Sequence, residues 1–278
     1  MAERMKQTIV ISIEEGDALT FRADVLALKY AQALYGVDEA VVDCLSQAGQ
    51  DIITLLPNVG EFRFIDPHNQ IASQAVLFIG VKRLHQFGYQ EIREFGRKVL
   101  VCLAREAPKT KHVCLTLHGP GYGLDEAESF EAEIAGVLDA ITSGNFPEEL
   151  ERITIIEQDL LRAKRLKQFL SRLVPRNRVD INDKGKLVNL GEVPEERLRV
   201  AGYASASKPN IFVAMPFSDD MEDQFHYGIQ GAVNAAGYLC ERADLSVFTG
   251  NVIMGQAAYC SRVPDNCGPI DRESERVS

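Results

Sequence analysis

Over roughly its first 170 residues the chain switches repeatedly between two hydrophobic periods, and that alternation limits what it can fold into. Thr8–Ile13, Asp24–Leu28, Glu61–Ile65, Ala75–Val81, His112–Leu117 and Arg152–Ile156 are short, apolar, β-branched runs bounded by turn residues. Between them stand segments with apolar residues at helical spacing. Val37, Val41, Val42 and Leu45 form one such face, and Ile92, Phe95, Val99, Leu100 and Leu103 a second. Phe130, Ile134, Val137, Leu138 and Ile141 form a third, and Leu166, Phe169, Leu170 and Leu173 a fourth. Strands that alternate with helices bury both faces of a largely parallel or mixed sheet, which predicts an α/β sandwich.

Charge and apolar runs narrow the function classes. Lys plus Arg number 30 and Asp plus Glu 40, a net charge of -10. Such a chain repels phosphate, which argues against a nucleic-acid or anionic-membrane coat. No apolar run reaches the ~18 residues of a spanning helix, and the opening MAERMKQTIV has no secretory apolar region. The expectation is a cytoplasmic protein with no membrane partner. Six cysteines (Cys44, Cys102, Cys114, Cys240, Cys260 and Cys267) form no CxxC pair, so they read as reduced thiols. The five histidines lack metal-ligand spacing, and neither a metal nor a cofactor is expected.

Four regions follow: an α/β domain over 1–174, a linker over 175–208, a small unit over 209–252 and an irregular tail over 253–278. The linker holds prolines, glycines and charges without period. The basic residues of the helix before it (Arg162, Lys164, Arg165, Lys167, Arg172) read as a solvated face. In the small unit, Ile211–Met215 is a strand, Ser218 or Asp219 caps a helix reaching Ala236, and Tyr238–Glu241 is a second strand. Two strands and a helix are too little to stand alone. This unit must lean on the first domain, pair with another copy of the chain, or fold marginally.

Three turns carry the candidate chemistry. Gly16-Asp17-Ala18 ends the first strand, Gly36-Val37-Asp38 opens the first long helix, and His118-Gly119-Pro120-Gly121-Tyr122-Gly123 joins a strand to another helix. Glycines let backbone amides approach an anion, and a helix N-terminus adds free donors and a favourable dipole. Asp17 can accept from an adenine amino group, and Tyr122 can close over a ribose. Lys29 reads equally as a phosphate-binding cation or a solvated strand end. In the small unit, Met215-Pro216-Phe217 breaks a strand into a helix. Phe217 can stack on a base and Asp219 can bond a sugar hydroxyl.

The order Gly-Asp, then Gly-Val-Asp-Glu-Ala-Val, then a glycine loop before a helix resembles the macro domain, including the macro-like N-terminal domain of leucine aminopeptidases, over residues 8–170. The resemblance implies a three-layer α/β/α sandwich that binds a nucleotide or ADP-ribose-like metabolite. Asp17 and Ala18 would lie at the adenine, and Gly36, Val37, Asp38 and Gly119, Pro120, Gly121, Tyr122 and Gly123 around the diphosphate. The family's Asn-Ala-Ala-Asn segment is replaced around Leu28-Lys29-Tyr30-Ala31, so the resemblance implies recognition rather than hydrolysis. Ile211–Met221, with Gly237–Arg242 and Phe248–Asn251, resembles the opening of flavodoxin-like nucleoside 2-deoxyribosyltransferase domains, which are related in shape to TIR-type domains. Met215, Pro216, Phe217 and Asp219 would line its site. The later part of that family, with its glutamate nucleophile, has no counterpart here, which implies an incomplete βαβ unit and no catalytic residue. By analogy the pairing suggests bacterial signalling or defence. Three readings stand open: a metabolite-binding module with a degenerate nucleotide-processing unit, an N-glycosidase or deoxyribosyltransferase acting on nucleosides or NAD, and a non-catalytic interaction protein.

Overall fold

A computed structural model describes residues 5–52, 56–120, 123–182, 186–215, 221 and 223–242. Its main sheet has seven strands in the order β3-β4-β2-β5-β6-β1-β7. They are β1 (Met5–Glu15), β2 (Val25–Tyr30), β3 (Phe62–Ile65), β4 (Ala75–Gly80), β5 (His112–Thr116), β6 (Arg152–Glu157) and β7 (Arg178–Asn182). The inner strands β4, β2, β5, β6 and β1 run parallel. The edge strands β3 and β7 are antiparallel.

Helices cover both faces. On one side α1 (Val37–Gln47) packs Val41, Val42 and Leu45 against Leu26, Leu28, Val76 and Phe78. On the other lie α2 (Tyr89–Glu106), α3 (Glu126–Thr142) and α4 (Leu160–Leu173), over a larger core that takes in Ile9, Ile11 and Ile13 of β1. The pleat explains that selection: alternate residues of β1 face the helices, while Val10 and Glu14 face out. Helices α2 and α3 touch backbone to backbone. A Cβ on Gly136 would lie 1.8 Å from the Arg93 carbonyl oxygen, so only glycine permits this crossing. The three-layer α/β/α sandwich expected from the sequence is thus observed.

The segment 175–208 is not the bare linker expected. It carries β7, which pairs with β1 and closes the sheet edge, and α5 (Glu192–Val200), whose Leu198 enters the main core. Prolines and charges hid this in the sequence: β7 is almost wholly buried, but only Val179 and Ile181 of its five residues are apolar, and α5 buries Leu198 alone. Arg93 anchors α5. Its guanidinium binds both Asp139 carboxylate oxygens (2.7 and 2.9 Å) and donates through Nη1 to the carbonyls of Leu198, Arg199 and Ala201. The basic face of α4 also differs from expectation: Arg165 is buried on Glu126 through two bonds (2.7 and 2.8 Å), with Arg162 beside it.

After α5, β8 (Asn210–Val213) and β9 (Leu239–Arg242) pair in parallel, with a π-helix (Gln224–Gln230) and α6 (Gly231–Ala235) between them. This is the βαβ unit foreseen, and it leans on the first domain. Among the described residues its own core is Val213, Phe225 and Cys240 with a few flanking side chains, whereas Leu239 belongs to the main core. Positions 243–278, including the expected tail, lie outside the described residues.

Candidate functional site

All three turns singled out in the sequence stand at one edge of the sheet. Gly16-Asp17 follows the carboxyl end of β1, Gly36 lies beyond that of β2, and the 118–123 turn follows β5. The chain leaves β2 towards β4 and leaves β5 towards β6, so the connections diverge between these adjacent strands. Such a switch point opens a crevice at the carboxyl edge, where ligands of open α/β sheets bind.

The individual residues play distinct parts. Asp17 accepts the Leu19 amide through Oδ1 (2.9 Å), and Oδ2 has no partner among the described residues. Ala18 is buried in the α1-side core. Gly36 starts α1 with φ 57° and ψ -126°, a conformation that glycine favours, and the space where a Cβ would project is open. An anion's approach there would meet the first amides of α1, which have no intrahelical partners. Val37 is partly buried behind them. Asp38 does not face that approach. It is buried and accepts from Lys29 Nζ at 2.6 Å, both side chains being nearly inaccessible (0% and 3%). Lys29 is thus neither a solvated strand end nor an exposed phosphate cation; its ammonium ties the start of α1 to the end of β2.

Gly119 and Gly123 have packing reasons. A Cβ on Gly119 would lie 2.4 Å from Ser129 Oγ, and one on Gly123 would lie 2.9 Å from the Arg242 carbonyl oxygen of β9. The amides of Gly123 and Leu124 bond back to Pro120 and Gly119 (3.3 and 3.2 Å). Gly121 and Tyr122 lie outside the described residues, as do Pro216, Phe217 and Asp219. Met215 is described; it packs on the small core of the second unit.

Beneath the turn is a buried polar cluster that the sequence reading missed. The His118 ring sits edge-on to Phe95 (centroids 4.7 Å apart) and Phe87 (6.4 Å). The His118 amide donates to Glu133 Oε2 at 3.3 Å. Asp38 Oδ1, Thr116 Oγ1, His118 Nε2, Ser129 Oγ and Glu133 Oε1 have no hydrogen-bond partner among the described residues. Burial, with the Lys29 charge adding to it, holds the His118 imidazole well below its ordinary value. Burial pushes the Glu133 carboxyl up to about 8, against the opposing His118 amide and Lys29 ammonium. Burial also raises Asp38, with Lys29 pulling it down. Burial therefore favours the protonated form of Glu133. The signal available in the sequence was Lys29 inside the apolar run VLALKY, a charge in a buried strand that demands a partner.

The second unit docks beside this cluster. Asp125 caps α3, accepting the Ala127 and Glu128 amides (3.0 and 3.1 Å) through Oδ1, while Oδ2 accepts the Cys240 amide of β9 (3.1 Å). The Tyr89 phenol donates to Glu241 (3.0 Å) and accepts the Asp125 amide (2.9 Å). Glu241 is buried and also accepts from Asn210 (3.0 Å). Its carboxylate is engaged in the seam. Among the described residues Cys44, Cys102, Cys114 and Cys240 are free thiols, and no cluster of His, Cys, Asp and Glu has the geometry of a metal site. No described helix is long and apolar enough to cross a membrane.

No protein-family model matches the sequence, and no curated protein matches it. Similar solved structures are macrodomains. A mutant macrodomain of Oceanobacillus iheyensis with ADPR aligns at 15% identity and a TM-score of 0.46, covering 58% of this chain and 92% of its own. The same organism's macrodomain with MES bound aligns at 14% and 0.47, covering 59% and 92%. The Trypanosoma brucei macrodomain in complex with ADP-ribose aligns at 14% and 0.46, covering 57% and 68%.

Proposed function

We propose that this chain binds a nucleotide or ADP-ribose-like metabolite at the carboxyl edge of its sheet, as a recognition module. One observation carries the reading. The turns after β1, β2 and β5 all lie at the carboxyl edge of the sheet, where the connections of β2 and β5 part, and Gly36 starts α1 there with nothing within 4 Å of where a Cβ would project. The α1 amides suit a phosphate, because they are unpaired donors at the positive end of a helix dipole. Asp17 suits an amino donor such as adenine's, since one carboxylate oxygen is already fixed and the other is unclaimed. The buried Lys29–Asp38 pair holds β2 and α1 in register, so the amides are pre-positioned rather than ordered on binding. The docked second unit would report occupancy of the crevice to a signalling or defence system of the cell.

Isothermal titration of the full chain with ADP-ribose, NAD and cyclic nucleotides tests the reading. Saturable heat with at least one of these is expected, weakened about tenfold in Asp17→Ala by loss of a hydrogen bond to a charged group. Absence of heat across the panel rejects it, and so does an Asp17→Ala protein that binds as tightly as the parent.

A further inference from the structure

A second concavity lies away from that edge, at the seam between the helical layer and the βαβ unit. Its volume is about 220 Å³. The first domain contributes Phe169 and Arg172 of α4, Glu131 of α3 and Arg197 of α5; the second contributes His226, Gln230 and Asn234. Arg197 is clamped on Glu131, its Nε 2.8 Å from Oε2, so it is held in place. Arg172, at the exposed rim, makes no hydrogen bond or ion pair among the described residues. Two guanidiniums against one carboxylate leave the wall positive in a chain whose net charge is -10. Asn234 donates to Asp125, and its Oδ1 is buried without a partner. The facing helix is a π-helix through Gln230, with His226 Nδ1 and Gln230 Oε1 2.9 Å apart. Helical widening of this kind is frequent at functional sites.

From these features we infer that the seam binds a small oxyanion, a carboxylate or phosphate. Arg172, which has no partner among the described residues, and the edge of the Arg197 guanidinium not turned to Glu131 recognise it by charge-assisted hydrogen bonds. Phe169 covers the apolar part. The volume falls below the roughly 300–1,000 Å³ of drug-sized pockets. The occupant is therefore a compact metabolite and not a dinucleotide, which separates this site from the one proposed at the sheet edge. Because its walls come from both units, the ligand fastens the second unit to the first.

The test uses the full chain and two probes, inorganic phosphate and succinate, each compared with sodium chloride at equal ionic strength. A saturable rise in melting temperature is expected with at least one probe, and which one responds identifies the oxyanion. Hydrogen exchange over residues 224–235 should slow at saturation. Arg172→Gln, an exposed substitution, should weaken the response about tenfold. Lys167→Gln, on the same helix but outside the cavity, should leave it unchanged. No saturable shift with either probe overturns the inference, as does an Arg172→Gln protein that responds like the parent. ADP-ribose titration of Arg172→Gln should match the parent, so failure at one site leaves the other standing.

Discussion

Arg93 and Lys29 are both buried cations, one in the helical layer and one at the end of a sheet strand, and their surroundings differ in completeness. Each nitrogen of the Arg93 guanidinium has a partner: Asp139 on one side and three carbonyls at the end of α5 on the other. Lys29 reaches Asp38, but around that pair five buried polar atoms of Asp38, Thr116, His118, Ser129 and Glu133 lack partners. A complete cluster contributes architecture. An incomplete one, placed below the crevice, leaves desolvation uncompensated at the spot where a site would use it.

The sharpest way to break this contrast is to remove each cation. Arg93→Ala should cost about 3–5 kcal/mol in urea unfolding, because it strands carbonyls and a carboxylate together. Lys29→Met should cost about 3 kcal/mol alone, but Lys29→Met with Asp38→Leu should return to within about 1 kcal/mol of the parent. If the double variant is as unstable as the sum of its parts, the Lys29 cluster is architectural in the same sense as Arg93 and the contrast fails. Asp125→Ala should cost about 2 kcal/mol through the lost cap and the lost bond to β9. Limited proteolysis should then release the second unit, while an intact seam would show that Asp125 does not hold it.

A smaller effect separates the clusters by pH. Glu133 keeps its proton in the folded chain up to about pH 8, whereas the unfolded carboxyl loses it near 4.5. Its contribution is therefore fully present below pH 4.5 and lost as pH rises towards 8. His118, held neutral by burial, acts oppositely below its ordinary value of 6.5. Between pH 6.5 and 8 the Glu133 effect is no longer opposed by His118, so Glu133 should lower stability by up to about 1.4 kcal/mol per pH unit. Chemical denaturation across that range should show the slope in the parent and its loss in Glu133→Gln. An unchanged slope would assign the proton elsewhere.

The layers and most elements were legible because their burial is periodic. Ile9, Ile11 and Ile13 alternate, and Phe130, Ile134, Val137 and Ile141 step along one helix face, so packing and pattern agree. The strand β7 was not legible. It pairs on one side only, and its run Arg178–Asn182 carries a charge at its start and polar groups through its middle. The second helix gave a clue that went unread. Met221, Phe225, Ile229 and Val233 recur every four residues, wider than the 3.6 of an α-helix, and a π-helix occupies that stretch. The three turns of the candidate site were placed by motif, yet the glycines at 119 and 123 have packing partners that no local pattern could show: Ser129 lies ten residues from one, and Arg242 lies on a distant strand. Asp38 reads as a ligand contact in one dimension, and only the fold reveals Lys29 behind it.

Among the described residues the small βαβ unit owns a core of three buried side chains and lends Leu239 to its neighbour. A body that keeps so little apolar surface for itself should not melt apart from the rest. Calorimetry should record a single endotherm, and an excised fragment spanning 209–242 should give the circular dichroism of a coil. Loss of β9 would uncover the main core at Leu239 and take from Asp125 Oδ2 and the Tyr89 phenol the partners they have in the seam.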